Sequence, residues 1–192
     1  MSKDINTIIS NFHDCGLYLP TRSVDISGDV DLEMYQKTLR NLHILDSMNG
    51  TINVFIHSEG GDLTYCKAIY DLIKGCRNYV RGMVYGEASS SASIFFQACD
   101  ERLMAPNAEL MIHIGEEATG GHPENKARWD AKYKRDGVWM QDVYLEKIKQ
   151  IKPRYTRKRL TDLLRFDTIL SAKEAIELGL CDRIEDKFTV EK

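Results

Sequence analysis

The 192 residues, 43% hydrophobic and 29% charged, are enough to build one domain around a single core, and they exclude a mainly disordered chain. With 26 basic against 29 acidic residues the net charge is −3, so no general basic field for gripping nucleic acid is present. No apolar run approaches the ~20 residues that span a bilayer, which excludes a membrane-spanning helix.

The opening MSKDINTIISNF lacks a continuous apolar core and a small-residue cleavage site, so no secretory leader is expected. Residues 1–21 show weak periodicity and contain Gly16 and Pro20, the pattern of an irregular N-terminal arm. Ser23-Val-Asp-Ile-Ser27 is predicted to be a strand, stopped by Gly28-Asp29. Asp31 can cap a helix with an apolar stripe of Tyr35, Leu39, Leu42 and Leu45, ended by Asn49-Gly50. Thr51–His57 is rich in β-branched and aromatic residues and predicts a second strand, with Ser58-Glu-Gly-Gly-Asp62 as a tight turn. A helical face of Tyr65, Cys66, Ile69, Leu72 and Ile73 follows, closed by Gly75. Tyr79–Tyr85 predicts another strand, Gly86-Glu-Ala-Ser-Ser90 a turn, and Ala92–Cys99 an apolar helix. Glu109–Ile114 reads as a further strand, and Gly115–Pro123 as a Gly-rich polar segment. Glu124–Gln150 predicts a long charged helix with Trp129, Tyr133, Met140, Tyr144 and Ile148 along one face. Ser171-Ala-Lys-Glu174 is a capping box, and Gly179 stops its short helix. Strand, turn and helix in repetition predict an α/β fold of βαβ units with a mostly parallel sheet and an added helical arm. The five scattered cysteines include no CxxC, which suits reduced thiols in a cytoplasmic setting.

Sites in parallel α/β architecture gather where strands end and helices begin. Gly86-Glu-Ala-Ser-Ser90 lies at such a junction, with unpaired N–H groups and a helix dipole that favour an oxyanion. Two readings fit it: a serine-rich helix cap, or an exposed serine nucleophile. His113, ending a strand, is either a satisfied polar residue or the base for that serine; Asp167 is either a turn former or the acid that orients the base.

Four ordered runs then carry a resemblance: INVFIHSEGGDLTYCKAIYDLI, GEASSSASIFF, APNAELMIHIG and DTILSAKEAIELGLCD. Together they resemble the proteolytic subunit of the Clp protease (ClpP), a serine peptidase family, over about residues 22–184. The resemblance implies the crotonase/ClpP-like fold, with residues 22–192 one peptidase domain and about 114–150 a projecting handle. It implies Ser90 as nucleophile, His113 as base and Asp167 as orienting acid. The backbone N–H groups of Gly61 and Ser91 are the implied oxyanion hole. No metal or organic cofactor is implied. The implied partners are polypeptide substrates, further copies of the chain in a heptameric ring (single or stacked as a pair) and an ATP-driven unfoldase. Nothing implies a nucleic acid or a membrane.

The chain departs from the family pattern at several points. Glu59 stands where proline is usual, His57 for asparagine, Asp62 for serine, Ile114-Gly115 for Gln-Pro, and Arg165-Phe166 for an acidic residue and arginine that couple two rings. These departures keep two other functions in view: a non-catalytic ring subunit or scaffold, and a specialised peptidase working without an unfoldase, such as one that matures a capsid. Crotonase-type acyl-CoA enzymes share the fold but need no Ser/His/Asp set. His113, Glu116, Glu117 and His122 fit no common metal-binding spacing, and the basic run Lys149–Arg159 reads as a solvated helix face.

Overall fold

The structure, a computed structural model, describes residues 5, 10, 13–115 and 125–186. The Gly-rich stretch 116–122, with its part of the handle and of the cluster weighed as a metal set, lies outside the described residues, as does most of 1–12. Among the described residues no group of three or more His, Cys, Asp or Glu stands ready to hold a metal, and no helix is long and apolar enough to cross a membrane.

One sheet organises the domain. Its strands are β1 (Leu17–Tyr18), β2 (Ser23–Val30), β3 (Ile52–Gly61), β4 (Val80–Ser89), β5 (Glu101–Met104), β6 (Glu109–Ile112), β7 (Thr168–Ser171) and β8 (Arg183–Ile184). The order β1-β2-β3-β4-β5-β8 is parallel except for β1–β2. β4 forks: Arg81–Val84 pairs with β5, whereas Glu87–Ser89 pairs with β6, and β6 then pairs antiparallel with β7. The tail of the segment read as an irregular arm is built into the sheet, since Leu17 pairs with Val24 and is buried.

The helices are α1 (Leu32–Asp46), α2 (Leu63–Lys74), α3 (Ser91–Phe96), α4 (Lys126–Ile151), α5 (Arg157–Leu164) and α6 (Ala172–Leu178). Asp31 caps α1, its carboxylate accepting from Met34 N at 2.9 Å. The buried face of α1 is Met34, Thr38, Asn41, Leu42 and Leu45, while Leu39 is exposed; the stripe read from the sequence is rotated. The reason is polar: Asn41 Nδ2 donates to the Cys15 carbonyl at 2.7 Å, so an amide faces inward to seal the N-terminal segment. The α6 capping box closes in both directions, with Ser171 N–H donating to Glu174 and Glu174 N–H donating to Ser171 Oγ. α4 buries Met140, Val143, Tyr144, Leu145 and Ile148 against the core, but Trp129 near its start is exposed. Asp136, buried midway along α4, pairs with Lys67 of α2 and with Lys132. All five cysteines are free thiols, and burial pushes Cys99 up to about 12, and Cys76 and Cys181 to about 11.

Candidate active site

β4 carries Ser90 to the point where α3 begins. The residue adopts φ 52°, ψ −122°, a conformation that non-glycine residues rarely hold and that clusters at functional sites. Its N–H donates to the Met111 carbonyl of β6 at 2.9 Å, which fixes the turn against the next strand. β6 ends one residue before His113. The antiparallel register Ile112↔Thr168 continues outward to set His113 opposite Asp167, bringing together residues 54 apart in the chain. Ile114 N–H donates to the Leu164 carbonyl at 2.8 Å and holds this corner shut.

The three side chains form one line of hydrogen bonds. Ser90 Oγ lies 2.7 Å from His113 Nε2, and His113 Nδ1 lies 2.9 Å from Asp167 Oδ1. The imidazole is 22% exposed and the carboxylate 70% exposed in the single chain. A hydroxyl so bonded to an imidazole can be deprotonated as it attacks a carbonyl, and a carboxylate at the other ring nitrogen fixes the tautomer needed for it.

The glycines after Ser58 are not a tight turn, as the sequence suggested, but the end of β3. Gly60 and Gly61 pair with Asp29 and Val30, at φ +100° and +148°. A Cβ on Gly60 would fall 2.6 Å from Ser89 O, 2.8 Å from Ser90 Cβ and 3.1 Å from Ser91 N, so only glycine lets β3 pass this close to the serine turn. At Gly61 the same atom would strike Val30 O at 2.6 Å. Sequence reasoning singled out Gly61 and missed Gly60, although the Gly-Gly pair was its signal. Gly60 N–H donates to Ser58 Oγ at 3.1 Å, and that hydroxyl donates to Gly28 O at 2.5 Å. Ser91 is the first residue of α3; its Oγ is buried and, among the described residues, has no hydrogen-bond partner.

Strand alternation separates Glu59 from this site: Ser58 and Gly60 are buried on one face and Glu59 is exposed on the other. His57 is not part of the line either, since its Nδ1 sits 3.1 Å from Tyr85 O. Ser89 Oγ donates to Glu87 at 2.6 Å and leaves Ser90 as the serine facing the imidazole.

A family model described as Clp protease matches residues 10–188. The ATP-dependent Clp protease proteolytic subunit 1 of Tropheryma whipplei strain Twist is 26% identical over 186 residues, covering 95% of this chain and 85% of that protein. The corresponding subunit 2 of Leifsonia xyli subsp. xyli is 28% identical over 180 residues, covering 90% of this chain and 75% of that protein. The structure of a ClpP1 variant from Listeria monocytogenes matches with a TM-score of 0.76 at 24% identity, over 88% of this chain and 94% of that one, and so shares the fold.

Proposed function

The chain belongs to the Clp protease family, and from that premise we propose that it is a serine endopeptidase that cleaves polypeptides through an acyl-enzyme inside an oligomeric chamber. The observation that carries this reading is the bonded line Ser90–His113–Asp167 on a strained turn at a strand end.

In this mechanism His113 Nε2 takes the Ser90 proton as Oγ attacks the scissile carbonyl. Asp167 holds the imidazole tautomer and stabilises the imidazolium. The backbone N–H groups of Gly61 and Ser91 receive the developing oxyanion, each worth about 3 kcal/mol in comparable sites. The commitment of the Gly60 N–H to Ser58 Oγ supports assigning this role to Gly61. The imidazolium then protonates the leaving amine, and the acyl group on Ser90 is hydrolysed by a water that His113 deprotonates.

Assembly belongs to the same reading. Asp167 is 70% exposed, and the neighbouring Phe166 and Ile169 are exposed apolar side chains. An orienting carboxylate works better out of water, and a second copy of the chain against this edge would cover all three. We take the assembly to be a heptameric ring, alone or stacked as a pair, fed by an ATP-driven unfoldase in the cytoplasm. The Tropheryma whipplei and Leifsonia xyli relatives are both named as subunits of an ATP-dependent protease, which supports that partner.

The test is hydrolysis of a fluorogenic peptide and of an unfolded polypeptide by protein sized as an oligomer. Loss of both activities in Ser90→Ala and in His113→Ala supports the reading. Undiminished cleavage by Ser90→Ala removes it. Assembled protein that never cleaves would favour the scaffold reading instead.

A further inference from the structure

The serine turn is gripped from behind by buried side chains that reach it from other elements. The Ser90 carbonyl oxygen accepts twice from Ser93, from its N–H at 3.1 Å and from its Oγ at 2.5 Å. Ser93 Oγ also lies 2.6 Å from the hydroxyl of Tyr144 on α4. A serine hydroxyl has one proton, and here it goes to Ser90, so the phenol is the donor in the second contact. Ser93 and Tyr144 are both fully buried, at 0% exposure. One peptide further on, the Ser91 carbonyl accepts from Cys66 Sγ of α2 at 3.1 Å.

The C=O and N–H of a trans peptide point in opposite directions within one rigid plane. The Ser90 carbonyl and the Ser91 N–H belong to the same plane, so the second cannot tilt without moving the first. We infer that Ser93 and Tyr144 are positioning residues: by holding the Ser90 carbonyl in the core, they aim the Ser91 N–H at the point where the oxyanion forms. This inference rests on the serine-peptidase reading and extends it to two side chains that touch neither substrate nor reacting atoms.

Two further observations support it. Ser90 sits at φ 52°, a conformation that persists only when its surroundings over-determine it, and these bonds supply part of that constraint. Burial pushes the Tyr144 phenol well above its ordinary range, so it keeps its proton and remains a donor at neutral pH. The placement of Tyr144 also has a consequence. α4 is exposed at its start and is pinned midway through Asp136 to Lys67, so a rotation of this helix would be felt at Ser93 and then at the Ser91 N–H.

The test compares the full-length chain with Ser93→Ala, Tyr144→Phe and a core truncation in α1, Leu45→Ala, as a control for lost stability. Three quantities are read: the rate of Ser90 phosphonylation by a fluorophosphonate probe, the separate kcat and KM for a fluorogenic peptide, and the thermal midpoint. Ser93→Ala is expected to slow phosphonylation and lower kcat by about tenfold, less than loss of a whole oxyanion donor, with KM held within about twofold. Tyr144→Phe moves both rates in the same direction by a smaller factor, whereas Leu45→Ala lowers the midpoint and leaves the phosphonylation rate at the parent value. Parental rates in both Ser93→Ala and Tyr144→Phe, or losses that merely follow the midpoint as in the control, overturn the positioning role and leave the peptidase reading standing. A parent chain that is never phosphonylated overturns the peptidase reading and this inference together, and that result is distinguishable because it needs no variant.

Discussion

Replacing Gly60 by alanine drives a methyl group into the serine turn. The new carbon would sit 2.6 Å from Ser89 O and 2.8 Å from Ser90 Cβ, where ordinary contacts begin near 3.4 Å. The neighbour is backbone and a strained Cβ, not the tip of a flexible side chain, so something must retreat by about 0.6–0.8 Å. The residue would also be held at φ +100°, which costs an alanine roughly 1–3 kcal/mol. Overpacking adds about 1–3 kcal/mol. The expected loss of stability is therefore about 2–6 kcal/mol, or a fall in midpoint of roughly 4–24 °C for a chain of this size. The turn itself absorbs the shift, and Ser90 Oγ moves relative to His113 Nε2, now 2.7 Å away. A displacement approaching 1 Å at a reacting centre costs about a hundredfold, so turnover by the folded variant should drop by roughly ten- to a hundredfold. Circular dichroism melting, followed by peptide hydrolysis well below the melting range, measures both. A Gly60→Ala variant with the parent's midpoint and the parent's kcat would refute the close approach of β3 to Ser90.

Three other outcomes follow from the same geometry. Gly137 lies inside α4 with nothing within 4 Å of the position of a Cβ, so Gly137→Ala should raise stability by about 0.5–1 kcal/mol through helix propensity, visible as a midpoint higher by a few degrees. Asp167→Asn leaves His113 without the carboxylate that fixes its tautomer, and peptide turnover at neutral pH should fall by about 10²–10⁴-fold, with assembly by size-exclusion unchanged. Burial alone would raise the Asp46 carboxyl, but hydrogen bonds from Arg77 N, Asn78 N and Asn78 Nδ2 outweigh it and hold the group at about 2 against an ordinary 3.8. Its folded value is the lower one, so its contribution to stability is full above about pH 4 and disappears as pH falls toward 2. Midpoints of parent and Asp46→Asn should therefore converge over that acid range, and curves that stay parallel would contradict the assignment.

What the sequence made legible is uneven, for physical reasons. Long strands with β-branched cores and capped helices announced themselves: β3 and β4 start within one residue of where patterning put them, though β4, like β3, runs four residues further than read, past Tyr85. Asp31 before α1 and the Ser171 capping box stand as read. β5, β7 and β8 did not, because each is only two to four residues long and, unlike β6 in Glu109–Ile114, none lies within a longer apolar run. The α1 stripe was misread by rotation, since Asn41 is buried for the hydrogen bond it makes and not for hydrophobicity, and Thr38 is buried beside it. β3 was cut short at Ser58 because Gly-Gly reads as a turn, whereas here it lets a strand run on between β2 and the serine turn. Residue patterns left Ser90, His113 and Asp167 each with two meanings. It was the resemblance that joined them, and the Ile112↔Thr168 register is what sets the last two side by side. Ser93 and Tyr144 read as ordinary core positions, and only the direction of their hydroxyl groups gives them a further meaning.

The most direct measurement on the central claim is intact-mass analysis of the oligomeric protein after treatment with a fluorophosphonate, beside the Ser90→Ala variant. One adduct per chain is expected, located at Ser90 and absent from the variant. No adduct on assembled protein, or an adduct that persists in Ser90→Ala, would contradict it.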